Sequence, residues 1–552
     1  METKVLTDQS APSARALFLD LKRILQLLHQ CLRFGVFPYA HRLPFRYQGL
    51  SFPVRVRRVF EEMGLTYLKL GQFLALRFDI LPREVCQELN RLFEKVTPMT
   101  AADARRVVEG ELGGPVEKFF REFEAESLAA GSVAQVHKAR TMAGERVVVK
   151  IQRAGIEPIF HADIRNFRRI TSLVDTLHLL GRLTARGMLE EFAKWTLREM
   201  DFVVEGGTAE RLRRDALSFE VIPKIYWNLT TSKVLTMELI DGVSASRLHE
   251  LHTHGQSAEI ARAVPGFDMP LALHRLTFIS CRQLFVTGFF HGDPHPGNVL
   301  FLPHNAVAFI DFGIFGYVNE EEREILVGQI EHLALGDIET SLRYYSRQLT
   351  PTEETDLDAF REDALEVLHR WYSRASDPTL PIEERHLARY TGEMIDVSRR
   401  NKMRYGLNYL LFWRALNNLN GTLWMVDPQF DMMLELRRFF EEVRPDAVER
   451  ATAVVTDSGT QGDWYDFITR LPERAEGALA GRSGGERAAQ VSVTESGRKQ
   501  RAGVDEVRLI VAGTMTASLA VFAGATQVNW AVRAAVCVAA SVFMLVSRVR
   551  FK

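Results

Sequence analysis

Cysteine is nearly absent: the 552 residues contain four, at positions 31, 86, 281 and 537. They are too far apart for a CxxC or Cys/His ligand set, which excludes a disulfide framework and a structural zinc site and reads as a chain of a reducing compartment. Net charge is missing as well. With 69 basic and 70 acidic side chains the formal charge is −1, so there is no bulk electrostatic pull toward nucleic acid and no nucleic-acid partner is expected. The opening METKVLTDQSAPSARALFLDLKRILQ lacks an apolar core followed by a small-residue cleavage site, so no secretory signal is expected. Glu2, Asp8 and Asp20 argue against a mitochondrial presequence. No internal repeat is visible, and the length calls for two or three structural units.

What is present is an unusual set of polar residues in apolar surroundings. FFHGDPHPGNVLF (289–301) is followed by AFIDFGIFG (308–316). Asn298 lies five residues after Asp293, and Asp311 thirteen after Asn298, the spacing of the catalytic loop and DFG element in protein kinases. Phosphoryl transfer explains the residue types: one Asp orients or deprotonates the nucleophile, while an Asn and a second Asp hold Mg²⁺ against the phosphates. The plainer alternative is a polar turn between two buried strands, VLF (299–301) and VAFI (307–310). His291 reads as an organiser of the backbone and His295 as an exposed loop residue.

Upstream, VAQVHKA (133–139) and ERVVVKIQ (145–152) alternate as two paired strands around TMAGE. Lys150 closes VVVK, where a kinase lysine neutralises the α and β phosphates; the alternative is a solvent-facing lysine on an edge strand. Such a lysine needs a carboxylate, and Glu199 in REMDF is the candidate, with Asp201 and Glu205 close enough to share the task. KVLTMELIDG (233–242) reads as a strand running into a hinge, with Glu238 where kinases present backbone groups to adenine. Glycine is sparse where phosphates would be covered: LAAGSVAQVH has only Gly131, so fewer backbone amides can approach a phosphate.

Residues 13–36 have a broad apolar helical face among Arg and Lys, for which packing on the body is the commoner fate and membrane-surface docking the alternative. Helices are expected over 54–95, 101–112, 160–215, 268–290 and 319–450. A Gly, Ser, Glu and Arg rich stretch (455–505) reads as a flexible tether. Beyond it, LIVAGTMTASLAVFAGAT (509–526) and AAVCVAASVFMLVS (534–547) are uncharged. Basic residues flank them on both outer sides (Arg498, Lys499, Arg501, Arg508; Arg548, Arg550, Lys552), as a transmembrane hairpin with both ends cytoplasmic requires. A buried helical hairpin is the alternative.

The chain resembles the UbiB family of atypical kinase-like proteins, also called the aarF or ABC-one family. The residues that carry the resemblance are LKLGQ (68–72) for the family's KxGQ, AAGSVAQVH (129–137) for its Ala-rich loop, EMDFVVE (199–205) for its ExD element, HGDPHPGN (291–298) and DFG (311–313). It covers roughly residues 50–450, and the tail hairpin resembles bacterial members. It implies an α+β, atypical protein-kinase-like two-lobe fold with an N-terminal helical extension and a C-terminal transmembrane hairpin. Its divisions are a helical segment (1–50), a KxGQ extension (51–125), an N-lobe (126–242), a helical C-lobe (243–450), a linker (451–506) and the hairpin (507–548).

By the same resemblance Lys69 and Gln72 lie across the active site where protein kinases bind peptide, Lys150 pairs with Glu199, Asp293 is the catalytic Asp, and Asn298 and Asp311 hold Mg²⁺. Ala129, Ala130, Gly131, Ser132, Val133 and Glu238 complete the ATP site. Gly131 departs from the family's usual alanine and would loosen the loop; Gly206, Gly207 and Thr208 replace an Ala-rich stretch and would shorten the following helix. The implied function is a membrane-anchored kinase or ATPase supporting biosynthesis of ubiquinone or a related quinone. Its partners would be membrane lipid, isoprenoid quinone precursors and quinone-biosynthesis enzymes, and its setting the bacterial inner membrane with a cytoplasmic kinase-like domain. A phosphotransferase acting on a protein or small lipid, and a nucleotide-binding scaffold without turnover, are the other readings.

Overall fold

The computed structural model describes residues 13–36, 49–75, 77, 81–93, 98–176, 185–352, 354–375, 377 and 379–443. The linker and the hairpin lie outside them. Among the described residues no helix is long and apolar enough to cross a membrane.

Five helices come first: α1 (Ala14–Phe34), α2 (Phe52–Met63), α3 (Leu65–Ala75), α4 (Arg83–Asn90) and α5 (Ala101–Leu112). The KxGQ segment is α3. Gly71 is dictated by packing, because a Cβ there would sit 2.2 Å from Leu92 Cδ1 and 2.9 Å from Phe60 Cδ2. On another side of the same helix Lys69 and Gln72, three residues apart, are both buried.

The small lobe is an antiparallel sheet of β1 (Phe120–Ala130), β2 (Ala134–Thr141) and β3 (Arg146–Gln152), with β5 (Val234–Glu238) added in the order β1-β2-β3-β5; β4 (Glu220–Val221) belongs elsewhere. It therefore begins at Phe120, ahead of residue 126. β3 is a central strand, paired on one side with β2 and on the other with β5, so Lys150 is not on an edge. The period of two puts Val147, Val149 and Ile151 against Ala104 and Val108 of α5. Lys150 consequently shares the opposite face with Val148, which packs in the main core.

The stretch expected to be helical over 160–215 is three helices: α6 (Ile156–Thr176), α7 (Ala185–Glu199) and α8 (Phe202–Arg214). Asp201 makes the break, its carboxylate accepting from Val203 N at 3.1 Å as the N-cap of α8. Gly206 and Gly207 do not shorten α8, which runs 13 residues. A Cβ on Gly206 would lie 3.0 Å from Trp227 and 3.3 Å from Leu235, so the glycine admits the helix against β5. That packing offsets the roughly 1 kcal/mol propensity cost of each glycine.

The large lobe holds β6 (Val243–Ser244), α9 (Ala245–Thr253), α10 (Ser257–Ala263) and α11 (Met269–Arg282). The catalytic segment then carries β7 (Phe289–His291), β8 (Val299–Phe301), β9 (Val307–Phe309) and β10 (Phe315–Tyr317). β8 and β9 are the two buried strands expected from the sequence, joined antiparallel, and β7 pairs antiparallel with β10. Last come α12 (Glu320–Leu335), α13 (Ile338–Arg347), β11 (Leu349–Thr350), α14 (Leu357–Ala375), α15 (Ile382–Arg385), α16 (Leu387–Arg400), β12 (Arg404–Tyr405), α17 (Leu407–Val426) and α18 (Met432–Glu442). α12 starts at a capping box, Asn319 and Glu322 bonding each other's backbone amides. One apolar core joins α8, α9, α11, the β7–β10 strands, helices α12 to α14 and helices α16 to α18; a second joins α1 to α4 with α6 and α7.

Candidate active site

The catalytic loop is tied to the DFG strand by one side chain. His291 Nδ1 accepts from Asp293 N at 3.1 Å, and its Nε2 meets the Asp311 carbonyl. This pattern requires Nε2 to carry the hydrogen. Burial holds His291 below its usual pKa, against the opposing pull of Asp293 and Asp311, so the ring stays neutral. Inside the loop, Asn298 Nδ2 donates to the Asp293 carbonyl at 3.2 Å, which turns the amide oxygen of Asn298 the other way. His295 is exposed.

Asp293 is also held from a distant helix. Its Oδ1 accepts from Asn418 Nδ2 at 2.6 Å and its Oδ2 from Arg414 Nη2 at 3.3 Å, while Thr422 Oγ1 donates to the Pro294 carbonyl at 2.7 Å. Arg414, Asn418 and Thr422 lie on one face of α17 at steps of four. Sequence reasoning passed over them, although a polar stripe in so apolar a helix is itself a signal. Asn418 and Arg414 both bond the Asp293 carboxylate itself, so Asn418→Ala is expected to lower kcat about tenfold and leave KM for ATP unchanged. A raised KM at constant kcat would contradict this positioning role.

Lys150 is not paired with Glu199. Its Nζ donates to Glu205 Oε1 at 2.6 Å and to Asp311 Oδ1 at 3.2 Å. Glu205 also accepts from Phe312 N at 3.4 Å, and Asp311 from Gly313 N at 3.0 Å. Glu205, in the first turn of α8, therefore binds the strand lysine to the DFG backbone. Glu199 ends α7 on the far side of the Asp201 cap and receives Lys69 of the KxGQ helix instead. Its other oxygen, Oε2, is buried without a hydrogen-bond partner among the described residues. The two pairs converge on the DFG glycine: a Cβ on Gly313 would lie 3.3 Å from Asp311 Oδ1, 3.6 Å from Glu199 Cγ and 3.8 Å from Glu205 Oε2. Gln72 is buried beside Lys69 on the same helix face.

The charges follow from this packing. Burial would strip Lys150 of its proton, but Asp311 and Glu205 more than offset that and hold it above its usual range. Asp311, whose side chain is 45 % exposed, stays well below the ordinary carboxylate value; burial opposes this, while Lys150 and the Gly313 amide favour it. Glu205 goes the other way. Burial pushes it up to about 7, Lys150 pulling it down and Asp311 adding to the rise.

A carboxyl that titrates near 7 when folded and near 4.5 as an ordinary Glu binds more protons in the native state across that window. Stability therefore falls as pH rises through it. Turnover has the opposite sign, since only ionised Glu205 anchors Lys150. Glu205→Gln is expected to gain about 3 kcal/mol relative to the parent between pH 5 and 8, and to lose the rise in turnover near pH 7. Unfolding and ADP-release profiles of the two proteins that run parallel in pH would overturn this assignment.

The Ala-rich loop caps the small sheet. Ala129 and Ala130 end β1 opposite Val136 and Gln135, Gly131 N donates to the Ala134 carbonyl at 2.8 Å, and Ser132 forms the bend. Val133 is buried in the helical-extension cluster. Arg153 pins the turn, Nε to the Gly131 carbonyl and N to the Val133 carbonyl, each at 2.9 Å. A Cβ on Gly131 would meet only the Ala134 carbonyl, at 3.6 Å, so alanine fits there and the glycine lies in a loop already tied down. Glu238 is exposed, its carboxylate accepts from Lys224 N at 3.2 Å, and its own N donates to the Lys224 carbonyl at 2.9 Å.

The residues fit Mg-ATP. Asn298 and Asp311 would offer an amide and a carboxylate oxygen, donor types that suit a Mg²⁺ ion coordinated chiefly by phosphate and water. Among the described residues no cluster of three or more His, Cys, Asp or Glu side chains is arranged to hold a metal by protein alone.

Known proteins share much of this sequence. Residues 91–345 match the model of the ABC1 atypical kinase-like domain. The chain is 30% identical over 388 residues to the chloroplastic protein ACTIVITY OF BC1 COMPLEX KINASE 7 of Arabidopsis thaliana, covering 69% of this chain and 53% of that protein; it thus spans about half the length of that relative. It is 28% identical over 451 residues to a probable protein kinase UbiB of Actinobacillus pleuropneumoniae, covering 76% of this chain and 80% of that one. Among solved structures it is similar to the Rv3197–erythromycin complex from Mycobacterium tuberculosis, at 22% identity and TM-score 0.46, covering 71% of this chain and 95% of that one.

Proposed function

The chain belongs to the UbiB family of ABC1 atypical kinase-like proteins, and on that premise we propose that it is a membrane-anchored kinase or ATPase that uses Mg-ATP in support of ubiquinone or related isoprenoid quinone biosynthesis. The observation that carries the reading is the Lys69–Glu199 pair pressed against Gly313. It brings the KxGQ helix to the edge of the nucleotide site, leaving less room for a protein acceptor than for water or a small molecule. Lys150, anchored by Glu205, neutralises the α and β phosphates. Asn298 and Asp311 would hold the metal, which when bound would neutralise phosphate charge. Asp293, clamped by Asn418 and Arg414, orients the attacking group.

Anchoring rests on the two uncharged C-terminal runs, 509–526 and 534–547, with the kinase-like domain on the cytoplasmic side of a bacterial inner membrane. Turnover would then be spent on isoprenoid precursors at the lipid surface, handed to soluble quinone-biosynthesis enzymes.

The test is ADP release by the full chain with Mg²⁺ and ATP, with and without vesicles carrying a quinone precursor. Release stimulated by those vesicles, with no labelled acceptor, is the expected result. A labelled protein or lipid would move the assignment to phosphotransfer, and no release with nucleotide binding intact would leave a scaffold.

A further inference from the structure

Helix α1 is mounted with its polar side inward. Its buried residues are Asp20, Arg23, Leu27 and Gln30. Arg23 is bidentate to Asp163 of α6, Nε to Oδ1 at 2.8 Å and Nη2 to Oδ2 at 2.7 Å, and also donates to the Met63 carbonyl at 3.0 Å. Asp20 takes Arg165 at 2.6 Å and Arg169 at 2.9 Å, and its carbonyl accepts from Asn166 at 2.9 Å. These bonds are directional and buried, so they fix the rotation of the helix about its axis.

The outward face carries four large apolar side chains beside basic ones. Leu17, Phe18, Leu25 and Leu32 are 48%, 68%, 47% and 59% exposed, with Phe18, Leu25 and Leu32 at steps of seven. Ile24 and Leu28, at the flank, pack on the helical core. A row of four exposed large side chains is uncommon on a surface that meets only water.

We propose that this face of α1 docks on an anionic lipid surface. The proposal rests on the membrane-anchored reading above and names the part of the body that meets the bilayer. Charge selects the occupant. Arg15 and Lys22 are exposed on the helix, its one acidic residue, Asp20, is buried between two arginines, and of its exposed cations Arg33 pairs with Glu62 at 3.3 Å. A second copy would bring the same cations to the same apolar row, whereas anionic headgroups around an inserted Leu/Phe face complement it.

The experiment uses the full chain with Cys31 and Cys537 changed to Ser, and an environment-sensitive fluorophore on Leu25→Cys or on the control Leu357→Cys of α14, which is 57% exposed. Vesicles are phosphatidylcholine with or without phosphatidylglycerol. The label at 25 should shift to the blue only with phosphatidylglycerol, the control should not, and Arg15→Glu and Lys22→Glu should each weaken the response about fivefold. Vesicle-bound chain with an unshifted label at 25 overturns the docking of α1 and leaves the anchor standing. Chain that does not float with vesicles overturns both. A blue shift without lipid that grows with protein concentration assigns the face to self-association. A label on His29→Cys repeats the test should substitution of Leu25 disturb the helix.

Discussion

Asp311→Asn should cut ADP release about a thousandfold, roughly 4 kcal/mol of transition-state stabilisation, while the protein stays folded. The two halves of the expectation come from different bonds. An amide oxygen can still accept from Gly313 N, which the Asp311 carboxylate now does at 3.0 Å, and Lys150 keeps Glu205 at 2.6 Å. The side chain is 45 % exposed, so losing its charge costs the fold no more than about 1 kcal/mol. Chemistry has no such reserve, because the substitution removes the anionic ligand proposed for the metal and one of the two carboxylates that keep Lys150 protonated. Asp311 is held well below the usual carboxylate range, so it is ionised throughout the assay range and no assay pH should restore turnover to the variant. That separates it from Glu205, whose effect should change near 7. Turnover within about tenfold of the parent at unchanged Tm would remove Asp311 from the metal site.

How far these roles could be read from sequence depended on how local they are. Asp293, Asn298 and Asp311 sit on one short loop and hairpin, where spacing along the chain nearly equals placement in space. The partner of Lys150 was not local in that sense. Glu199 and Glu205 are six residues apart with the Asp201 cap between them, and which one faces β3 depends on the break between α7 and α8. Asn418 meets Asp293 across 125 residues, and no periodicity reports that. β1 escaped notice because Glu122, Glu124 and Glu126 face solvent on a charged edge strand, which defeats the alternation that revealed β2 and β3. The apolar face of α1 was legible, but its direction was set by Asp163, Arg165 and Arg169 of another helix.

Removing the lysine of the KxGQ helix should be strongly destabilising. In Lys69→Ala the Glu199 carboxylate would lose its only hydrogen bond among the described residues, Oε2 being already without a partner. The side chains are 8% and 13% exposed, so water cannot take over fully, and an uncompensated buried charge of this kind costs about 3 kcal/mol. Glu199→Gln alone should be much milder, because Lys69 can still donate to the amide oxygen. The informative protein is the double variant. If the cost of Lys69→Ala is the stranded carboxylate, Lys69→Ala with Glu199→Gln should recover more than half of the lost stability, a coupling that independent sites do not show. Denaturant unfolding of the four proteins reads it directly. Additive losses would mean that Lys69 contributes through packing of α3, and the link between the KxGQ helix and the DFG glycine would then be contact without electrostatic consequence. Recovery would mean that the helix is held over the nucleotide site by one ion pair, so that whatever protonates or displaces Glu199 also releases the cover on the acceptor side.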